Sequence, residues 1–135
     1  VNVVAQVFAG VAAALHVLVF VWEALLFRRP AVHWGVFRIR SEDVPAVLLW
    51  SFGQGFYNLF LAAGTVIGLI AVNTGQAEAG RALVYYTCGF MILSSLVLLV
   101  SDRMALGREK GAGLGGVAAQ ALPPIGALLA VAIAG

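Results

Sequence analysis

Residues 3–27 read VVAQVFAGVAAALHVLVFVWEALLF, an apolar run broken only by Gln6, His16 and Glu23 and followed at once by Arg28 and Arg29. A membrane-spanning helix needs about 20 mostly apolar residues, because the hydrocarbon core is about 30 Å thick and each helical residue rises about 1.5 Å. This run meets that length. It has no Lys or Arg before it, is longer than the apolar core of a secretory signal, and lacks a small-residue cleavage site before Arg28. It therefore reads as a retained helix.

Working outward, three more runs share this character, at residues 46–72, 82–101 and 115–134. Of the 135 residues 62% are hydrophobic and 10% charged, a balance that a soluble chain of this size has too little core to bury. The charges fall mainly between the runs, in loops 28–45 and 102–114. The expected fold is all-α: one membrane domain, an integral four-helix bundle, with the short second connection making it up-down.

Lys and Arg near helix ends resist translocation, so their distribution sets orientation. The first loop carries Arg28, Arg29, Arg38 and Arg40, the third Arg103, Arg108 and Lys110, and the second is bordered only by Arg81. Loops one and three are expected in the cytoplasm and both termini outside. Trp22, Trp34 and Trp50 flank the first loop, where amphipathic rings favour the headgroup zone. Positive charge here speaks for topology and anionic lipid; no nucleic-acid motif accompanies it. Seven Arg to one Lys, with abundant Ala, Val and Gly, suggests a GC-rich bacterial genome and an inner-membrane location.

Small residues allow helices to approach closely in lipid, where little hydrophobic force joins them. Gly64 and Gly68 form a GxxxG, and Gly126 begins a strip with Ala130 and Ala134; these are candidate packing or docking positions. Ser41, Glu42 and Asp43 resemble a helix start, with a capping hydroxyl ahead of Pro45. Pro123 and Pro124 are expected to kink or loosen the fourth helix. Cys88 stands alone, which leaves no disulfide or thiol pair, and reads as a small packing residue.

Polar groups inside a membrane are costly and point to function. His16 and Glu23 lie two turns apart on the first helix, Gln54 and Asn58 one turn apart on the second with Tyr57 between, Ser94 and Ser95 on the third, and Gln120 on the fourth. At about 1.5 Å per residue, His16 and Asn58 fall near the midplane, and Glu23 roughly 12 Å toward the cytoplasm. All four helices thus bring polar groups to one half of the bundle, and one buried polar site of His16, Glu23, Gln54, Tyr57, Asn58 and Gln120 is expected there. Against this stands simple mutual satisfaction, since interhelical side-chain hydrogen bonds contribute about 0.6 kcal/mol on average. Glu23 needs a partner or a proton: it either reaches Arg28 or Arg29, or faces His16. His33, in the loop, reads as solvated.

Metal and cofactor chemistry find no footing. A single intramembrane His excludes bis-His haem, and no Glu-x-x-His pair exists for a di-iron site. Phosphate loops, nucleophile elbows and zinc-protease helices are absent.

The run Gly53-Gln54-Gly55-Phe56-Tyr57-Asn58, followed by Phe60-Leu61-Ala62-Ala63-Gly64, resembles the signature of a family of small bacterial membrane proteins, domain of unknown function 1304. The His16 to Glu23 stretch, Val36-Phe37, and Gln120 ahead of Pro123 and Pro124 extend the likeness over nearly the whole chain. Two positions depart from it: Leu15 stands where an acid commonly precedes the histidine, and Gly53 where an Asn is common. The resemblance implies a four-helix membrane fold and supplies no reaction.

Two functions follow as expectations. The first is an accessory or regulatory subunit of a larger membrane complex, such as an envelope lipid transporter, docked through its small-residue faces and first loop. The alternative is a small-molecule or lipid site, with catalysis open, in which His16 is the acid/base, Glu23 orients it, and the amides bind a polar head. A plain structural protein is the third reading. A cavity beside His16 favours the alternative, and direct amide contacts with no space count against it.

Overall fold

The computed structural model describes residues 1–134, which are helical apart from turns and loops. The main helices are α1 (Val3–Phe20), α3 (Val44–Val72), α4 (Ala77–Arg103) and α5 (Leu114–Ala134), with a one-turn α2 (Pro30–His33) in the first loop. α1 continues without a break into a π-helical turn, Val21–Leu25, and a 3₁₀ turn, Ser41–Asp43, leads into α3. With these extensions, four helices of 21 to 32 residues are each long and apolar enough to cross a membrane. The fold is an all-α four-helix bundle.

The helices form a ring in which α1 packs on α3 and α5, and α4 packs on the same two, leaving α1 and α4 diagonal. Polar side chains tie the end that holds both termini. Asn2 accepts the Ala5 amide at 2.9 Å as the N-cap of α1 and donates to the Ala130 carbonyl at 2.9 Å, while Asn73 donates to Gln6 at 2.8 Å.

Close packing in this terminal half is set by small side chains. Ala5, Ala9, Ala12, Ala13, Ala62, Thr65, Cys88 and Ala127 are buried there with Val84 and Met91. The hairpin between α3 and α4 is tightest at Gly80, where an added Cβ would come 2.5 Å from the Val72 amide nitrogen and 2.6 Å from the Gly68 carbonyl oxygen. Gly68 in turn faces Leu83, Gly80 and Val84, Gly64 faces Thr87, and Gly126 lies under the Phe8 ring. All three small-residue positions singled out in the sequence thus serve contacts between this chain's own helices.

Two local expectations need correction, the cap of α3 and the setting of His33. Pro45 does occupy the first turn of α3, but no side chain caps that helix; Glu42 and Asp43 instead meet the Arg40 guanidinium at 3.6 and 3.2 Å. α5 runs through Pro123 and Pro124 without a break, with Pro124 buried. His33 is not solvated. It is 3% exposed and its Nδ1–H donates to the Ile39 carbonyl at 2.9 Å, within a small loop core that also holds Phe27, Val32 and Val44.

The third loop is organised around Asp102. Its buried carboxylate accepts the Gly113 amide at 2.8 Å and the Gly111 amide at 3.0 Å, and pairs with Arg103 at 2.6 Å. Gly111 has φ +97°, a left-handed conformation that glycine adopts without strain. Arg108 then joins the two loops, donating from Nη1 to the Phe37 carbonyl at 3.1 Å.

Candidate functional site

The half of the bundle that bears loops one and three, termed here the basic end, encloses a cavity of about 1350 Å³. Small-molecule pockets usually fall in the range of about 300–1,000 Å³. Its wall draws on all four long helices and, at the basic end, on Val36, Phe37 and Ile39 of the first loop and Leu106, Arg108 and Ala112 of the third. His16, Glu23, Gln54, Tyr57, Asn58 and Gln120 all line it, as does Ser94. The structure therefore gathers the six sequence candidates around one space. Ser95 stays out, buried and bonded to the Met91 carbonyl of its own helix at 2.8 Å.

His16 is 2% exposed, and its Nδ1–H donates to the Ala12 carbonyl at 2.8 Å. That bond assigns the neutral ring's proton to Nδ1 and makes Nε2 the acceptor nitrogen. The imidazole is thereby anchored to its own helix, one turn back, while its residue forms part of the cavity wall.

Glu23 sits in the π-helical turn, whose closing bond runs five residues back, from the Leu26 amide to the Val21 carbonyl at 2.9 Å. Such turns shift the side chains beyond them around the helix and recur at functional sites. Gly55 allows this one to pack on α3: a Cβ at Gly55 would lie 2.8 Å from the Ala24 Cβ and 3.2 Å from that of Glu23. Ser51 donates to the Glu23 main-chain carbonyl at 2.7 Å, and Asn58 donates from Nδ2 to the Glu23 carboxylate at 2.6 Å. The carboxylate is thus held by an amide. Neither of the partners weighed from sequence takes it: the ion pairs among the described residues join Arg40 to Glu42 and Asp43, and Arg103 to Asp102, and no hydrogen bond joins it to His16.

The remaining candidates are less enclosed. Gln54 and Tyr57 are exposed, Tyr57 at 67%, and Gln120 is half-buried on α5. Pro123 and Pro124 have no N–H to give the carbonyls of Ala119 and Gln120, both residues of the cavity wall, so the prolines leave acceptors at this level of α5.

Several residues of the wall are also exposed on the outside of the bundle, among them Leu18 on α1 and Ala119 on α5. On α3 the wall carries the exposed Trp50, Tyr57 and Phe60, and on α4 the exposed Tyr86, Phe90, Leu93 and Val97. The two helices meet closely at Gly68 and Gly80, and their other halves both contribute to the cavity wall. Its mouth is thus framed by aromatic side chains on what is otherwise the apolar outer face of the bundle.

Four contributors escaped the sequence reading. Gly55 is one of several small residues on the second helix, and its missing side chain seats the π-helical turn. Ser51 is one residue among many hydroxyls, and only its approach to a displaced carbonyl marks it. Phe37 and Arg108 reach the cavity through loop folds that no periodicity reveals. Among the described residues no group of His, Cys, Asp and Glu is placed to hold a metal ion.

No curated protein and no solved structure matches the chain. A family model matches residues 10–132, and so takes in α3, α4, both loops and most of α1 and α5, including every residue of the cavity wall named above. The chain belongs to that family, described as protein of unknown function (DUF1304).

Proposed function

We propose that this protein binds a lipid or lipid-like small molecule within the membrane, admitted sideways between α3 and α4 and recognised by the polar groups at the basic end. The observation that carries this reading is the cavity of about 1350 Å³, open between aromatic side chains on the apolar exterior and lined inside by His16, Glu23, Gln54, Asn58 and Gln120. An apolar wall with a few convergent polar groups is what a ligand pocket requires. A packed structural bundle would close this space, and the amides would bond to one another across it.

The chemistry available is recognition. His16 offers one acceptor nitrogen, Gln54 and Gln120 offer amides, and Asn58 is already committed to Glu23. These groups can orient a hydroxyl, carbonyl or charged head, while a hydrocarbon chain leaves through the mouth. Proton transfer by His16 is compatible with this arrangement but has no observation of its own.

The reading as an accessory or regulatory subunit of a lipid transporter draws no support from its proposed docking strips, because Gly64, Gly68 and Gly126 face this chain's own helices. A lipid site is compatible with work beside a transporter, and only an isolated complex can establish such a partner.

The test is photo-crosslinking of the purified protein with a fatty acid carrying a diazirine in its chain, followed by peptide mapping. Label concentrated on residues 50–60 and 86–97, and displaced by excess unlabelled fatty acid, is the expected result. Even, non-displaceable labelling that includes Val7, Val11 and Ile133, which are exposed away from the mouth, would overturn the proposal.

A further inference from the structure

Among the residues that line the cavity, Arg108 is the single Lys or Arg. It is half-buried in the third loop, and its Nη1 bond to the Phe37 carbonyl holds it across the floor formed by the two loops. Its Nη2 and the Asp102 Oδ1 both border Gly113, but no carboxylate lies within ion-pair distance of Arg108 among the described residues. The acids nearest in sequence or site are otherwise engaged: Asp102 bonds Arg103, Gly111 and Gly113, Glu23 accepts from Asn58, and Glu109 points to solvent as an exposed residue.

A permanent cation in the wall of a largely apolar cavity is costly unless an anion meets it. Guanidinium groups present a planar fork of donors that matches carboxylate and phosphate oxygens in pairs. The cavity exceeds the usual size for compact ligands, and its mouth opens on the apolar exterior.

We infer that the ligand is an acidic amphiphile whose oxyanion head, carboxylate or phosphate, seats against Arg108 at the floor of the cavity while its acyl chain passes out between α3 and α4. This rests on the lipid-binding reading and adds the charge and position of the head. His16, Gln54 and Gln120 then face the part of the ligand above the head.

The experiment compares three probes with the same 18-carbon chain on the purified full chain in mild detergent by native mass spectrometry: oleate, oleoyl lysophosphatidate and oleyl alcohol. At least one acidic probe should bind tenfold or more tightly than the alcohol. Oleate ahead of lysophosphatidate assigns a carboxylate head, and the reverse order a phosphate. Arg108→Gln should abolish the preference, and Arg108→Lys, which keeps the charge without the fork, should retain part of it. Equal binding of all three probes, or a preference indifferent to Arg108→Gln, overturns the acidic head and leaves the lipid site standing. Failure of all three to bind overturns both.

Discussion

Glu23 illustrates how a single side chain couples a local irregularity to the site. The π-helical turn places it over Gly55, and Asn58 then holds its carboxylate at 2.6 Å. Interhelical hydrogen bonds in membranes are worth about 0.6 kcal/mol on average and up to about 1.7. Removal of the donor in Asn58→Leu should therefore lower stability by about 1–2 kcal/mol, toward the upper end because it strands a carboxylate. A double-mutant cycle with Glu23→Gln, followed by unfolding in mixed micelles, should return a coupling energy of that order, and a coupling near zero would mean that the contact contributes nothing. This pairing was half legible in the sequence. Asn58 and Glu23 both stand out as intramembrane polar residues, but their meeting depends on how far a π turn rotates the end of α1, and no pattern of residue types encodes that rotation.

At the scale of elements, two glycines two residues apart on α3 have opposite surroundings. A Cβ at Gly55 would press on Ala24 at 2.8 Å, partly against its backbone nitrogen at 2.9 Å, whereas one at Gly53 meets nothing within 4 Å. Gly55→Ala should thus cost about 1–3 kcal/mol as overpacking and should loosen the Glu23 turn. Gly53→Ala should instead be neutral or stabilise by up to about 1 kcal/mol, because alanine is the better helix former. Thermal unfolding of the two variants in one detergent decides this, and equal destabilisation would show that the close approach at Gly55 is not what distinguishes them. Gly80→Ala belongs with Gly55→Ala, since its new Cβ would meet backbone atoms of Val72 and Gly68 that have little freedom to move. The apolar runs located all four long helices because length and hydropathy alone mark a span. The GxxxG pattern gave the right residues for close approach but not the neighbour, since a small residue permits contact with any helix, inside the chain or outside it. His33 was misplaced for a related reason: loop residues pack by tertiary contacts with Phe27 and Ile39, and a lone polar residue in a charged loop carries no mark of that burial.

For the whole molecule, the ring of helices closes tightly at the end holding the termini and opens around a cavity at the end holding the basic loops. That asymmetry was partly legible. Ala, Gly and Thr concentrate in the contacts of one half, while polar groups from all four helices share the other, but the empty space between them depends on bulky Trp50, Tyr57 and Phe60 standing outward at its wall and not filling it. Its place relative to the membrane is argued from charge. Were the basic loops cytoplasmic, as their charge argues, the mouth would open to the inner leaflet and the floor at Arg108 would lie near its anionic headgroups. Cysteine labelling tests this directly, because native Cys88 is fully buried and silent toward aqueous reagents. Gln76→Cys and Lys110→Cys place single exposed thiols in the second and third connections. In intact bacterial cells a membrane-impermeant maleimide should label Gln76→Cys and spare Lys110→Cys until the cells are permeabilised. The opposite pattern would turn the bundle over and make the outer leaflet the source of any lipid that reaches His16 and Arg108. Labelling of both thiols in intact cells would mean mixed insertion, which the charge difference between the loops argues against, since seven of the eight basic residues lie at one end and only Arg81 borders the other.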